Sequence, residues 1–396
     1  MPFLLITYLL TEMLAPFFAS FIIINAVLFL GRLMSLLDVI FGFGIDLEDF
    51  IRICAYLLPN LMLFSIPMAS TLAVILAFTR LTSDNEILAL KAAGIGAHNM
   101  LIPVIIFALC TSAFTAFSAT TLIPSGTVAM KKLLFQLAKE KVDKGLKEKE
   151  FNDSLKDVVL YIDRINTRTD EWSGVYVSDM RQKKESPVII IAESGNLEAD
   201  FDKMLITLSL REGSMHRSME KSTQTIGFSA YTLKLPVEPP RMVAGDPATQ
   251  VGKRGMSLSQ LLENSAKKET TADESMSLLI EFHKRLAMPV GCFILTLLGL
   301  PLAMQSRPGH KSIGLPFGLG FFILYYILIT AAKTMSENGT LPVWLAMWLP
   351  NVFFGITAYV LIRIAVREHT IALFDKLLDL SETVINLFRH RRGEQP

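Results

Sequence analysis

The chain has 396 residues, of which 51% are hydrophobic and only 19% charged, with a formal net charge of +1 and a mean hydropathy of +0.44. A soluble domain carries about 25% charged residues, so a single soluble globule is excluded, and the near-neutral balance gives no electrostatic case for a nucleic-acid partner. The three cysteines, Cys54, Cys110 and Cys292, all lie in apolar runs, so no disulfide framework is expected and each reads as a small apolar-lined thiol.

No Lys or Arg precedes Arg32, and the first apolar run is too long for a cleavable signal. A retained first span is therefore expected. A membrane helix needs about 20 predominantly apolar residues. Six stretches qualify, at 13–35, 51–78, 99–123, 286–304, 313–332 and 341–362. Pro59 and Pro67 fall inside the second, which predicts a kinked span rather than a break. The short loops at 38–49 and 335–340 contain no Lys or Arg. The loop after span two carries Arg80 and Lys91, and the loop after span four carries Arg307 and Lys311. The tail after Arg363 adds Arg367, Lys376, Arg389, Arg391 and Arg392. The positive-inside bias puts both termini in the cytoplasm and the polar middle region outside.

After span three a Lys-rich amphipathic helix is expected over 131–150. The period then changes. Short β-branched runs at 158–162, 175–177, 188–191, 205–208, 225–228 and 231–235 alternate with turn-like residues: Asn166, Asp170, Gly174, Ser186-Pro187, Ser194-Gly195-Asn196 and Gly213. This predicts an all-β, jelly-roll-like or sandwich domain with its topology left open. Residues 254–273 read as a polar return helix or linker. The fold class is thus an α-helical polytopic membrane protein with six transmembrane helices and an inserted all-β, jelly-roll-like domain on the outer side. Its expected parts are 1–125 (spans one to three), 126–273 (the β domain with linker helices), 274–366 (spans four to six) and 367–396 (a cytoplasmic tail).

Nothing in the sequence carries catalysis. His216 is alone in the middle region, and His98, His283, His310, His369 and His390 lack metal-ligand spacing. There is no G-x-S-x-G, H-E-x-x-H or G-x-x-x-x-G-K-[ST] motif. No metal, cofactor or nucleotide site of its own is expected.

The loop between spans two and three is the most informative short segment. Ser83-Asp84-Asn85-Glu86 fits a capping box, with Ser83 at N-cap and Glu86 at N3, and Gly94 supplies a helix stop. A helix over about 82–94 follows, exposing Leu88 and Leu90 beside Glu86 and Lys91. It is either an interfacial turn or a coupling helix that docks into a separate ATPase, and capping alone explains Glu86 without a partner. Arg32, Lys284, Arg285 and Lys333 oppose the positive-inside tendency at the outer side. They either snorkel to headgroups or form a basic ring that meets phosphates. Phe17, Phe18, Phe21, Leu28 and Phe29 of span one either wall an acyl-chain cavity or face bulk lipid.

Several phrases in order carry a family resemblance: Leu58-Pro59, Ile66-Pro67-Met68, Arg80-Leu81, Ser83-Asp84-Asn85-Glu86-Ile87 and Gly94. His283-x-Arg285-x-Ala287-x-Pro289, Gly299-Leu300-Pro301 and Trp348-Leu349-Pro350-Asn351 follow. Together they resemble the lipopolysaccharide-export permease family (LptF/LptG type) over nearly the whole chain. The stretches 159–163 and 174–179 look more like the LptF branch. The resemblance implies a subunit of a Gram-negative inner-membrane exporter. Its partners would be a cytoplasmic ATPase dimer that holds ATP and Mg, a second homologous six-span permease, and a periplasmic bridge of jelly-roll type. Lipopolysaccharide would be drawn from the outer leaflet and passed to that bridge. Glu86 would carry the ATPase contact, flanked by Ser83 and Asp84 and aided by Leu88. Arg32, with Lys333 and Arg285 by position, would meet substrate phosphates, and Phe21, Leu28 and Phe29 would wall the acyl chains. The family's basic stretch before span one is missing here, and 368–396 reads as an amphipathic surface segment. The alternatives are a secondary transporter, which normally shows an intramembrane acidic or histidine relay, another ATP-coupled subunit acting on lipid or lipoprotein, and a membrane-bound sensor, for which the tail is too short.

Overall fold

The computed structural model describes residues 3–43, 46–145, 148–155, 158–166, 171–180, 188–200, 205–219, 222–236, 252–267, 270–304 and 314–367. The helices are α1 (Phe3–Phe43), α2 (Leu47–Ser83), α3 (Glu86–Ala92), α4 (Ala97–Phe117) and α5 (Ile123–Gly145), then α6 (Leu258–Ser265), α7 (Ala272–Met304), α8 (Gly314–Glu337) and α9 (Val343–Val366). Among the described residues, six helical segments are long and apolar enough to cross a membrane. The membrane protein with a three-plus-three arrangement of spans and an inserted β domain is therefore what the chain forms. Arg307 and Lys311, and the tail at 368–396, lie outside the described residues.

The helices outrun the apolar windows read from the sequence. α1 continues to Phe43, through part of the expected loop at 38–49. α4 passes through a π-turn at Ser118–Leu122 directly into α5. The π-turn ends two residues before Pro124, whose ring removes one backbone donor and favours such an adjustment.

The chain divides into two compact units, Met1–Arg32 with Leu58–Ser125 and Gly252–Pro396, and Leu33–Leu57 with Gly126–Val251. In the first unit α2 and α7 are the central helices, each 72% buried over its apolar window, against 17% for α1 and 22% for α8. One core joins Leu9 and Met13 of α1, Val74, Phe78 and Leu81 of α2, Ile87 of α3, Met100 and Val104 of α4, and Cys292 and Leu300 of α7. A second joins Leu63, Ala119, Met288, Leu295, Tyr325 and Phe354. Polar side chains pin the helices at defined registers. Ser70 Oγ lies 2.7 Å from Thr296 Oγ1. Tyr325 donates to Asn351 Oδ1 at 2.9 Å, and Asn351 Nδ2 donates to the Ala287 carbonyl at 2.9 Å. Asn25 Nδ2 donates to Ser65 Oγ at 2.9 Å. In a lipid environment such bonds are worth about 0.6 kcal/mol each, so they set register more than they supply stability.

In the second unit six strands, β1 (Phe151–Leu155), β2 (Val158–Asn166), β3 (Glu171–Asp179), β4 (Val188–Asp200), β5 (Leu205–Met219) and β6 (Ser222–Pro236), form one antiparallel sheet in sequential order. The domain is all-β as expected, with the topology of a meander. The runs at 225–228 and 231–235, read as two strands, are one strand, and β1 was not foreseen. Gly195 and Gly213 sit inside strands, not in turns. A Cβ on Gly213 would collide with the Ile191 carbonyl and the Phe228 ring, so the glycine permits close strand approach.

The sheet carries a crease. Side chains on a strand alternate faces with period two. Here the residues that join the interior step by three in successive strands: Ile162 to Ile165, Trp172 to Val175, Ala192 to Gly195, and Phe228 to Tyr231. At the same row the ladders skip the pairs Asp163/Gly174, Gly174/Glu193, Glu193/Glu212 and Glu212/Ser229 while keeping their register. Gly174 (φ 67°) and Glu212 (φ 48°) adopt positive φ in that row. Two consecutive outward residues bend a strand, and bends aligned across neighbours fold a sheet along a line. A simple meander thereby wraps one apolar interior, built from Val158, Leu160, Ile162, Val175, Val177, Ile190, Leu208 and Leu210, with Phe135 of α5 packed against it.

Candidate coupling and substrate-contact sites

The segment that joins α2 to α4 differs in detail from the capping box. α2 runs through Ser83, whose Oγ donates back to the Thr79 carbonyl at 3.0 Å. The chain then turns at Asn85, in the left-handed region at φ 60°, and α3 occupies only Glu86–Ala92, with no side-chain cap. Asn tolerates that conformation better than most residues, and this is why the turn falls there and Ser83 is left in the preceding helix. Gly94 at φ 81° ends the segment as expected, and the Ile95 N–H closes back on the Leu90 carbonyl at 2.9 Å.

With no capping duty, the Glu86 carboxylate is held elsewhere. The Tyr8 hydroxyl donates to Glu86 Oε2 at 2.7 Å. One helical turn on, Glu12 Oε1 lies 2.6 Å from Arg80 Nη1, and Arg80 Nε is 3.7 Å from Asp84 Oδ2. Ile87 is buried in the core with Leu9 and Met13 of α1, whereas Leu88 is 65% exposed. Ser83 and Asp84 are exposed, and Leu90, expected to be exposed, is half-buried. Glu86 stands out in the sequence and Tyr8 does not, because no local spacing links positions 78 residues apart.

The basic residues separate into different environments. Arg32 is exposed on α1. Lys333 pairs with Glu337 at 3.6 Å within α8. Arg285 is only 2% exposed. Its Nε donates to Glu281 at 3.0 Å, Nη1 to the Met256 carbonyl at 2.7 Å, and Nη2 to the Lys253 and Arg254 carbonyls at 3.1 and 3.0 Å. A guanidinium so enclosed fastens the segment before α6 to α7, which is different work from the phosphate contact expected of it. Beside it, burial lowers the pKa of Lys253. Of the wall residues, Phe21, Leu28 and Phe29 are half-buried, and Phe21 stacks on Phe17 with ring centroids 5.8 Å apart. The face carrying Phe18, Ile22, Ile23, Val27 and Leu30 is the exposed one.

His216, the lone middle-domain histidine, sits between Ser214 Oγ at 3.0 Å and Thr225 Oγ1 at 3.1 Å on its own sheet. Among the described residues no group of three or more His, Cys, Asp or Glu is placed to hold a metal.

The chain matches the family described as "Lipopolysaccharide export system permease LptF/LptG" over residues 7–364. It is similar to the uncharacterized protein RP871 of Rickettsia prowazekii, at 22% identity over 80% of this chain and 85% of that protein. It is also similar to the lipopolysaccharide export system permease protein LptF of Escherichia coli K12, at 20% identity over 90% of this chain and 94% of that protein. The match takes in the six spans and the inserted sheet alike, and the chain therefore belongs to the LptF/LptG family of lipopolysaccharide export permeases.

Proposed function

We propose that this chain is the permease subunit of an ATP-driven exporter that draws lipopolysaccharide from the outer leaflet of the inner membrane and hands it to a periplasmic jelly-roll bridge. Family membership supports lipopolysaccharide as the cargo, a permease rather than a catalytic role, and an integral inner-membrane protein. The relatives called LptF favour that branch.

The observation that carries the ATP-coupled reading is α3: a short helix on the Arg80 and Lys91 side of the bundle, with Leu88 exposed beside Glu86 and Ile87 anchored in the core. An exposed apolar residue next to a carboxylate suits a cleft on a soluble ATPase dimer, which would hold the ATP and Mg. Both termini would then be cytoplasmic and the sheet periplasmic. Arg32 and Lys333 are the residues proposed to meet substrate phosphates, with Phe21, Leu28 and Phe29 along the acyl chains. Arg285 would act indirectly, by holding the segment before α6. A second six-span permease would cover the open faces of α1 and α8.

The test is affinity purification of the tagged chain from native membranes in mild detergent. Co-purification of an ATPase and a second six-span permease, with the ATPase lost from Glu86→Ala, is the expected result. An intact complex with Glu86→Ala would reduce Glu86 to a local structural residue.

A further inference from the structure

We infer that Tyr8 is a positioning residue for the coupling contact: its hydroxyl holds the Glu86 carboxylate in one rotamer, presented toward the docking partner. This rests on the reading of α3 as the ATPase contact and names the device that prepares it.

Three observations converge. Tyr8 donates to Oε2 of Glu86 at 2.7 Å, a bond that leaves Oε1 of the same carboxylate outside it. Glu12, four residues on and so on the same face of α1, grips Arg80 at 2.6 Å just before the turn at Asn85. Leu9 and Met13 share a core with Leu81 and Ile87, which places α1 against both sides of that turn. The first turns of α1 therefore hold the α2–α3 corner by two polar bonds and an apolar patch. A glutamate left free would sample several rotamers, and ordering such a side chain on binding costs about 0.5–1.5 kcal/mol. Holding it beforehand removes that cost.

The experiment uses the full complex of both permeases in nanodiscs, titrated with the purified ATPase. Wild type, Tyr8→Phe, Glu86→Ala and the double variant are compared, with the melting temperature of each recorded. Tyr8→Phe keeps the ring and deletes only the hydroxyl. It should weaken ATPase affinity about three- to tenfold at unchanged melting temperature, and should add nothing in the Glu86→Ala background. That non-additivity is what a merely structural role for Tyr8 does not produce. Unchanged or tighter binding by Tyr8→Phe overturns the inference, as does an equal loss in both backgrounds. Loss with Glu86→Ala but none with Tyr8→Phe sinks the positioning role alone. Full affinity in Glu86→Ala sinks the coupling reading and this inference with it.

Discussion

Arg285 shows how much one side chain decides. Its partners are a carboxylate and three carbonyls, and the side chain itself is almost wholly enclosed. Removing one partner of a buried ion pair costs about 3–5 kcal/mol, because the other charge is left uncompensated. Arg285→Ala should therefore lower the melting temperature of the detergent-purified chain and speed proteolysis within 252–267, which limited proteolysis with mass spectrometry would register. Gly291 makes a similar point by size. A Cβ there would fall on the Tyr325 hydroxyl, which bonds Asn351. Gly291→Ala should destabilise the bundle by about 1–3 kcal/mol through overpacking. Gly355→Ala, whose Cβ would meet only Ile294 at 3.8 Å, should be neutral within about 0.5 kcal/mol. Paired thermal melts test both.

At the level of elements, α3 depends on its two flanking turns. Asn85 and Gly94 hold φ 60° and φ 81°, and a side chain with a Cβ pays about 1–2 kcal/mol for such a conformation. Gly94→Val should loosen the end of α3 and reduce ATPase recovery in pull-downs while leaving the spans inserted. In the sheet, Gly174 combines φ 67° with a Cβ position 2.9 Å from that of Asp163. Gly174→Val should destabilise the second unit by at least about 1–2 kcal/mol, seen as earlier loss of the β signal in circular dichroism. Substitutions at neighbouring outward positions such as Ser173 should do far less.

Across the whole molecule, burial is unequal in a way that points outward. α2 and α7 are enclosed, whereas the apolar windows of α1 and α8 are 17% and 22% buried. A photo-crosslinking residue at Ile23, 63% exposed, should capture the second permease or lipopolysaccharide. The same group at Val74, which has no exposure, should capture neither. Capture of bulk phospholipid alone at Ile23 would show that this face is turned to the bilayer.

Six spans, an all-β insert, the place of the short helix between spans two and three and its end at Gly94 are legible in the sequence. Each rests on a local quantity: apolar length against bilayer thickness, a β-branched alternating period, or a residue suited to positive φ. The family phrases were likewise contiguous. The remaining contacts follow from how the helices and strands pack. Whether Arg285 met a phosphate or the protein depended on carbonyls some 30 positions back along the chain, at Lys253, Arg254 and Met256. Whether Glu86 capped its own helix or took the Tyr8 hydroxyl depended on α1 arriving beside the α2–α3 corner. The crease took the same residue row in neighbouring strands, which can be seen only once the register is known. Hydrogen bonds and close packing act over a few ångströms, and folding, not sequence proximity, brings these groups within that range.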